Sequence, residues 1–91
     1  MRIRYTEPAL EDLEKIRAYI AANYPEYAEA VGARFRSVLL RIATWPKSAQ
    51  EVAERPGVRV APLIRYPYKI FYRIERGTIE ILHIYHGAQD S

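Results

Sequence analysis

The chain has 91 residues, with 49% hydrophobic and 27% charged side chains, no cysteine and a sequence pI of about 9.3. That length supports one domain, residues 1–91, with a modest core and no deep enclosed active-site pocket, and the lack of cysteine excludes a disulfide framework and a thiolate metal site. With no secretory apolar segment and no long apolar run, the expectation is a soluble cytoplasmic protein without membrane contact.

Residues Arg2 to Tyr5 alternate charged and apolar side chains, as a short strand does. Thr6 then offers a hydroxyl N-cap, with Glu7, Glu11 and Asp12 favourably placed near a helix N-terminus. Leu10, Leu13, Ile16 and Ile20 recur at helical spacing and predict one buried stripe, while Glu11 and Lys15 make an exposed i,i+4 pair of the preferred polarity. Asn23-Tyr24-Pro25 stops this helix, and Pro25 suits the first turn of the next. Ala28, Val31, Phe35, Val38, Leu39 and Ile42 repeat the stripe until Trp45-Pro46 ends it. The short connection predicts an antiparallel helical hairpin, with Ala21-Ala22 and Gly32 marking close helix–helix approach. The polar stretch 47–57 reads as a loop. Strand-like runs follow at 58–65, 68–75 and 78–85, joined at Tyr66-Pro67 and Arg76-Gly77 as an antiparallel meander. Pro62 cannot donate a ladder hydrogen bond, which places its strand at an edge or a bulge. The expected fold is α+β in the order β-α-α-β-β-β, with the helical hairpin packed on one face of a small antiparallel sheet and the other face open.

Charge is concentrated in the last third. Residues 1–54 balance eight basic with eight acidic side chains, whereas 55–76 carry Arg55, Arg59, Arg65, Lys69, Arg73 and Arg76 against Glu75 alone. Tyr66, Tyr68, Phe71 and Tyr72 are interleaved with these cations, and a cationic, aromatic sheet face attracts either a polyanion or an acidic protein. Strand parity turns Tyr68 and Tyr72 to the core with Ile70, and Lys69, Phe71 and Arg73 to the open face. By the same parity His83 and Tyr85 share a face and His86 lies on the other. Trp45 either plugs the end of the helical hairpin or serves as an exposed contact anchor.

Taken in order, Ala9-x-x-Asp12-Leu13-x-x-Ile16-x-x-Tyr19-Ile20, Pro46 after the second helix, Arg65-Tyr66-Pro67-Tyr68-x-Ile70-x-Tyr72 and Ile81-Leu82-x-Ile84-x-His86-Gly87 resemble the RelE/ParE toxin superfamily of bacterial type II toxin–antitoxin pairs, the ParE branch more closely. The resemblance spans essentially the whole chain. It implies a toxin that binds DNA gyrase and stabilises its DNA-cleavage complex without a cofactor. It also implies a ParD-like antitoxin that dimerises, wraps an acidic amphipathic tail around the toxin, and alone carries the contact with operator DNA.

On that reading Arg59, Arg65, Lys69, Phe71, Arg73, Tyr19 and Trp45 are candidate antitoxin contacts, and Arg73, His86 and Gln89 candidate target contacts. The alternative within the superfamily is a RelE-like, ribosome-dependent mRNA endoribonuclease. It would draw its proton-transfer and phosphate-binding groups from Arg65, Arg73, His83, Tyr85 and His86, with Arg59 a further anion binder. Two histidines on opposite faces are poor catalytic partners, and Gln89 stands where the family often has an arginine. The expectation is therefore a binding toxin with neither metal nor catalytic residues, the ribonuclease standing as the alternative.

Overall fold

In a computed structural model, in which residues 1–86 are described, the chain forms β1 (Arg2–Tyr5), α1 (Glu7–Asn23), a 3-10 turn (Pro25–Tyr27), α2 (Ala28–Thr44), β2 (Gln50–Glu51), β3 (Val58–Pro62), β4 (Tyr68–Glu75) and β5 (Thr78–His86). The strands make one sheet in the order β1-β5-β4-β3-β2, with the core between it and the two helices. Strands β3, β4 and β5 are the expected antiparallel meander. Arg76 and Gly77 close the second hairpin with φ of +52° and +76°, the left-handed pair that a two-residue hairpin turn needs.

Two features differ from the sequence expectation. The sheet is mixed, because β1 pairs with β5 in parallel, Arg2 opposite Thr78 and Tyr5 opposite Ile81. Four alternating residues specify a strand but carry no information about its partner or direction. The predicted loop 47–57 also contains a strand, Gln50–Glu51, opposite Val60 and Arg59. Both of its residues are exposed, so no apolar period announces it. Its place is fixed by the Val52 N–H to Val58 carbonyl bond of 2.8 Å and by the Arg59 guanidinium, which donates to the carbonyls of Lys47 (3.2 Å) and Ala49 (2.7 Å).

β3 ends at Pro62 instead of residue 65. Pro62 lies past the two residues that β2 covers, so its missing N–H costs no ladder bond. The chain then turns through Arg65, whose φ of +79° is a conformation that favours glycine.

Thr6 caps α1, its hydroxyl accepting the Ala9 N–H at 3.3 Å. The α1 stripe is Ala9, Leu13, Ile16 and Ile20; Leu10 was expected in it but is half exposed. In α2, Val31, Phe35, Val38 and Ile42 are buried as expected and Ala28 is exposed. Tyr68, Ile70 and Tyr72 enter the core from β4. The helices do not approach closely at the small residues. Ala21 and Ala22 are exposed, and a Cβ built on Gly32 would meet only Arg36 Nη1 of its own helix, at 3.4 Å. Trp45 is 66% exposed and plugs nothing. Among the described residues no helix is long and apolar enough to cross a membrane.

Candidate functional site

Strand β5 carries a β-bulge. Tyr72 pairs with Ile81 but Phe71 with His83, leaving Leu82 as the extra residue. Alternation resumes one residue out of step. Ile84 therefore joins Ile79 and Ile81 in the core, while His83 and Tyr85 turn to the open face with Glu80. Without the bulge, His83 and Tyr85 would point into the core and Ile84 to solvent; bulges re-aim side chains in this way. On the open face the rings of Phe71 and Tyr85 lie 5.2 Å apart, and those of His83 and Tyr85 stack at 5.2 Å. His86 is on the other face, its ring edge-on to Tyr68 at 5.2 Å.

Helix α1 holds the bulged strand. Beyond Ile81 the outer edge of β5 has no strand partner, because β1 ends at Tyr5. The Thr6 backbone N–H reaches the Ile81 carbonyl at 3.1 Å, and its hydroxyl is shared between the carbonyls of Ile81 (2.8 Å) and Leu82 (3.1 Å). Six residues further on, the Asp12 carboxylate accepts the Ile84 N–H at 3.0 Å and lies 3.3 Å from His83 Nδ1. Thr6 and Asp12 are visible in the sequence as helix N-terminal residues, but their partners lie more than 70 positions away and no local pattern points to them.

The basic segment does not form a single cationic face. Arg59 pairs with Tyr72 and so projects to the helix side, where it braces the α2–β2 connection; this corrects its grouping with Arg73. Tyr72 shares that brace, donating its hydroxyl to the Pro46 carbonyl at 2.6 Å. Burial raises the Tyr72 phenol above its ordinary value, against the opposing pull of the Arg59 and Arg41 cations. On the open face Arg73 Nε donates to Glu80 at 2.8 Å, and the Arg4 guanidinium pairs with the same carboxylate. Glu80 is 6% exposed, so this acid, set between Ile79 and Ile81, is the buried centre of a triad. An acidic residue inside an apolar strand was the signal for it. Arg65 sits at the exposed β3–β4 turn, and Lys69 pairs in register with Tyr85.

Because the helices diverge, an apolar groove of about 740 Å³ opens between them over Ile70 and Ile84, with Ala21, Ala28 and Gly32 on its walls and Arg17, Arg36, Glu14 and Glu29 at its rim. A second cleft of about 450 Å³ is lined by Asp12, Lys15, Ile16, Tyr19, Tyr68, Ile84 and His86. Tyr19 and His86, assigned from sequence to different partners, thus meet in one cleft. Tyr19, Tyr24 and Tyr27 form an exposed aromatic row at the hairpin tip. Gln89 lies outside the described residues, and among the described residues no group of three acidic or histidine side chains could hold a metal ion.

Residues 3–91 match the family described as the ParE toxin of the type II toxin–antitoxin system, parDE. The chain is 39% identical over 92 aligned positions to Y4kP, a protein of Sinorhizobium fredii named as a candidate toxin, covering 97% of this chain and 90% of that protein. Among solved structures, the chromosomal ParDE system from P. aeruginosa superimposes with a TM-score of 0.80 at 26% identity, covering 94% of this chain and 95% of that one. The toxin–antitoxin complex RelBE2 from Mycobacterium tuberculosis superimposes with a TM-score of 0.59 at 26% identity, covering 93% and 95%.

Proposed function

This chain belongs to the ParE toxin family of type II toxin–antitoxin systems, and from that membership we propose that it acts by binding DNA gyrase and stabilising its cleavage complex, without chemistry of its own. Gyrase as the target is supported by the resemblance to the ParE branch, and with it goes a cytoplasmic site of action as part of the same proposal. The dispersal of the groups that a ribonuclease would bring together supports the non-catalytic reading. His83 is on the open face and His86 on the core face, Arg59 projects to the helix side, and Arg73 is paired with Glu80. Arg73, His86 and Gln89 remain the proposed target contacts.

The observation that carries the antitoxin half is the interhelical groove. It is apolar, with small residues on its walls and a rim on which Arg17 and Arg36 are balanced by Glu14 and Glu29. The apolar face of an acidic amphipathic helix from a ParD-like antitoxin fits it by shape. Arg65, Lys69, Phe71, Tyr19 and Trp45 are proposed as further antitoxin contacts, and operator DNA is contacted only through the antitoxin.

One observation favours the ribonuclease as the second reading: Asp12 faces His83 Nδ1, the arrangement by which a carboxylate orients a histidine base. Expression of the toxin separates the two. Gyrase poisoning gives an SOS response and trapped double-strand breaks with message lengths unchanged. Cleavage of translated mRNA within codons would replace this reading with the ribonuclease.

A further inference from the structure

We infer that Asp12 is a positioning residue for the target contact: acting through the backbone of β5, it holds His86 at a fixed place in the cleft beside α1. This rests on the proposed role of His86 as a target contact and adds the residue that fixes its place.

The end of β5 is held differently on its two sides. On the inner side the ladder to β4 continues to its last pair, Tyr68 opposite His86. On the outer side β1 stops at Tyr5, opposite Ile81, so among the described residues no strand lies beside 82–86 there. The Thr6 hydroxyl donates to the carbonyls of Ile81 and Leu82. Past Leu82 the outer edge is held by the Asp12 carboxylate, which accepts the Ile84 N–H at 3.0 Å and lies 3.3 Å from His83 Nδ1. A strand end with one open side opens locally at a far smaller cost than global unfolding, and the bulge at Leu82 interrupts the regular ladder just where β1 gives out.

The clasp stands where placement matters. Asp12, Ile84 and His86 line one cleft of about 450 Å³. The Ile84 side chain is buried in the core while its N–H is taken by Asp12, so this residue is fixed from two directions. His86, two positions on, inherits that placement, its ring edge-on to Tyr68 at 5.2 Å. A contact held in place before binding loses little freedom when the partner arrives, whereas a frayed strand would have to be ordered at that moment.

The test compares wild type, Asp12→Ala, Asp12→Asn and Ile42→Val as purified full-length toxins. Ile42→Val trims a buried α2 residue that does not line the cleft, and is the control for lost stability alone. The readouts are the melting temperature, amide hydrogen exchange at His83, Tyr85 and His86 by NMR, and the toxin concentration giving half-maximal trapping of gyrase cleavage complexes. Asp12→Ala is expected to stay folded, to exchange at these amides about tenfold or more faster, and to need about tenfold or more toxin for trapping. Asp12→Asn keeps an acceptor oxygen for the Ile84 N–H and is expected to retain most of both properties. Ile42→Val is expected to lower the melting temperature with trapping unchanged. Unchanged exchange in Asp12→Ala, or a loss of trapping in Ile42→Val equal to that in Asp12→Ala, would overturn the positioning role. A wild type and a folded Asp12→Ala that trap gyrase equally well overturn the positioning role alone; a wild type that traps no gyrase overturns the target assignment, and the positioning role with it.

Discussion

Asp12 and Ile84, 72 positions apart, are joined by a 3.0 Å hydrogen bond from the Ile84 backbone N–H to the Asp12 carboxylate. A helix side chain thereby takes the place of a neighbouring strand at the free edge of β5, satisfying a donor that the end of β1 leaves without a ladder partner. The same carboxylate lies beside His83, so one residue fixes the bulged edge and orients the ring that the bulge turns outward.

Asp12→Ala is expected to destabilise the fold by about 1–3 kcal/mol, the usual cost of leaving a part-buried donor without its partner. Asp12→Asn keeps an acceptor oxygen and is expected to cost less. Urea denaturation of the three proteins measures this, and equal midpoints for wild type and Asp12→Ala would show that the clasp contributes nothing.

Glu80 is the buried member of its triad, and both of its partners are arginines. Glu80→Gln leaves Arg4 and Arg73 with only the exposed Glu75, 3.8 Å from Arg73 Nε, as a counter-charge, and is expected to cost about 1–3 kcal/mol, the arginines' exposure to water limiting the loss. Arg73→Gln is expected to cost less in the Glu80→Gln background than in wild type. A double-mutant cycle on chemical denaturation reads that coupling directly, and additive losses would sink it.

Alkaline pH is expected to destabilise the protein. Burial raises the phenols of Tyr5, Tyr68 and Tyr72 above the ordinary value of 10.0. Below that value both states keep the proton and the contribution is fully present. Above it the unfolded chain releases protons that the folded chain retains, so stability falls until the pH passes the folded-state values. Tyr72→Phe is expected to flatten this slope while costing about 0.5–1.5 kcal/mol at neutral pH through the lost bond to the Pro46 carbonyl. Denaturation at several pH values between about 8 and 11 checks both parts, and an unchanged slope in Tyr72→Phe would refute its share.

Gly32 separates helix stability from groove occupancy. Its added Cβ meets only the end of the Arg36 side chain, so Gly32→Ala is expected to stabilise α2 by about 0.5–1 kcal/mol. Gly32→Trp projects a large ring into the groove and is expected to weaken antitoxin affinity by at least about tenfold, a change of about 1.4 kcal/mol, while the toxin stays folded. Calorimetric titration with the antitoxin and thermal melts measure the two effects. Full antitoxin affinity in a folded Gly32→Trp protein would place that partner outside the groove.

The sequence by itself determined both helices, β1, the meander, the Thr6 cap, the Arg76-Gly77 turn and the inward parity of Tyr68, Ile70 and Tyr72. Each of these depends on spacing within about a dozen residues, which side-chain period and turn chemistry encode locally. It also carried the motifs that resemble the ParE family. Only the tertiary structure decided that β1 runs parallel to β5 and that Gln50–Glu51 pairs with β3. The same holds for the bulge at Leu82, the divergence of the helices at their small residues, and the capture of Arg73 by Glu80 while Arg59 turns to the other face. A count of cations cannot show which of them the fold has already paired, because a charge finds its partner through space. The bulge is illegible for a related reason: one extra residue inverts every side chain after it, and only the partner strand reveals where that residue falls.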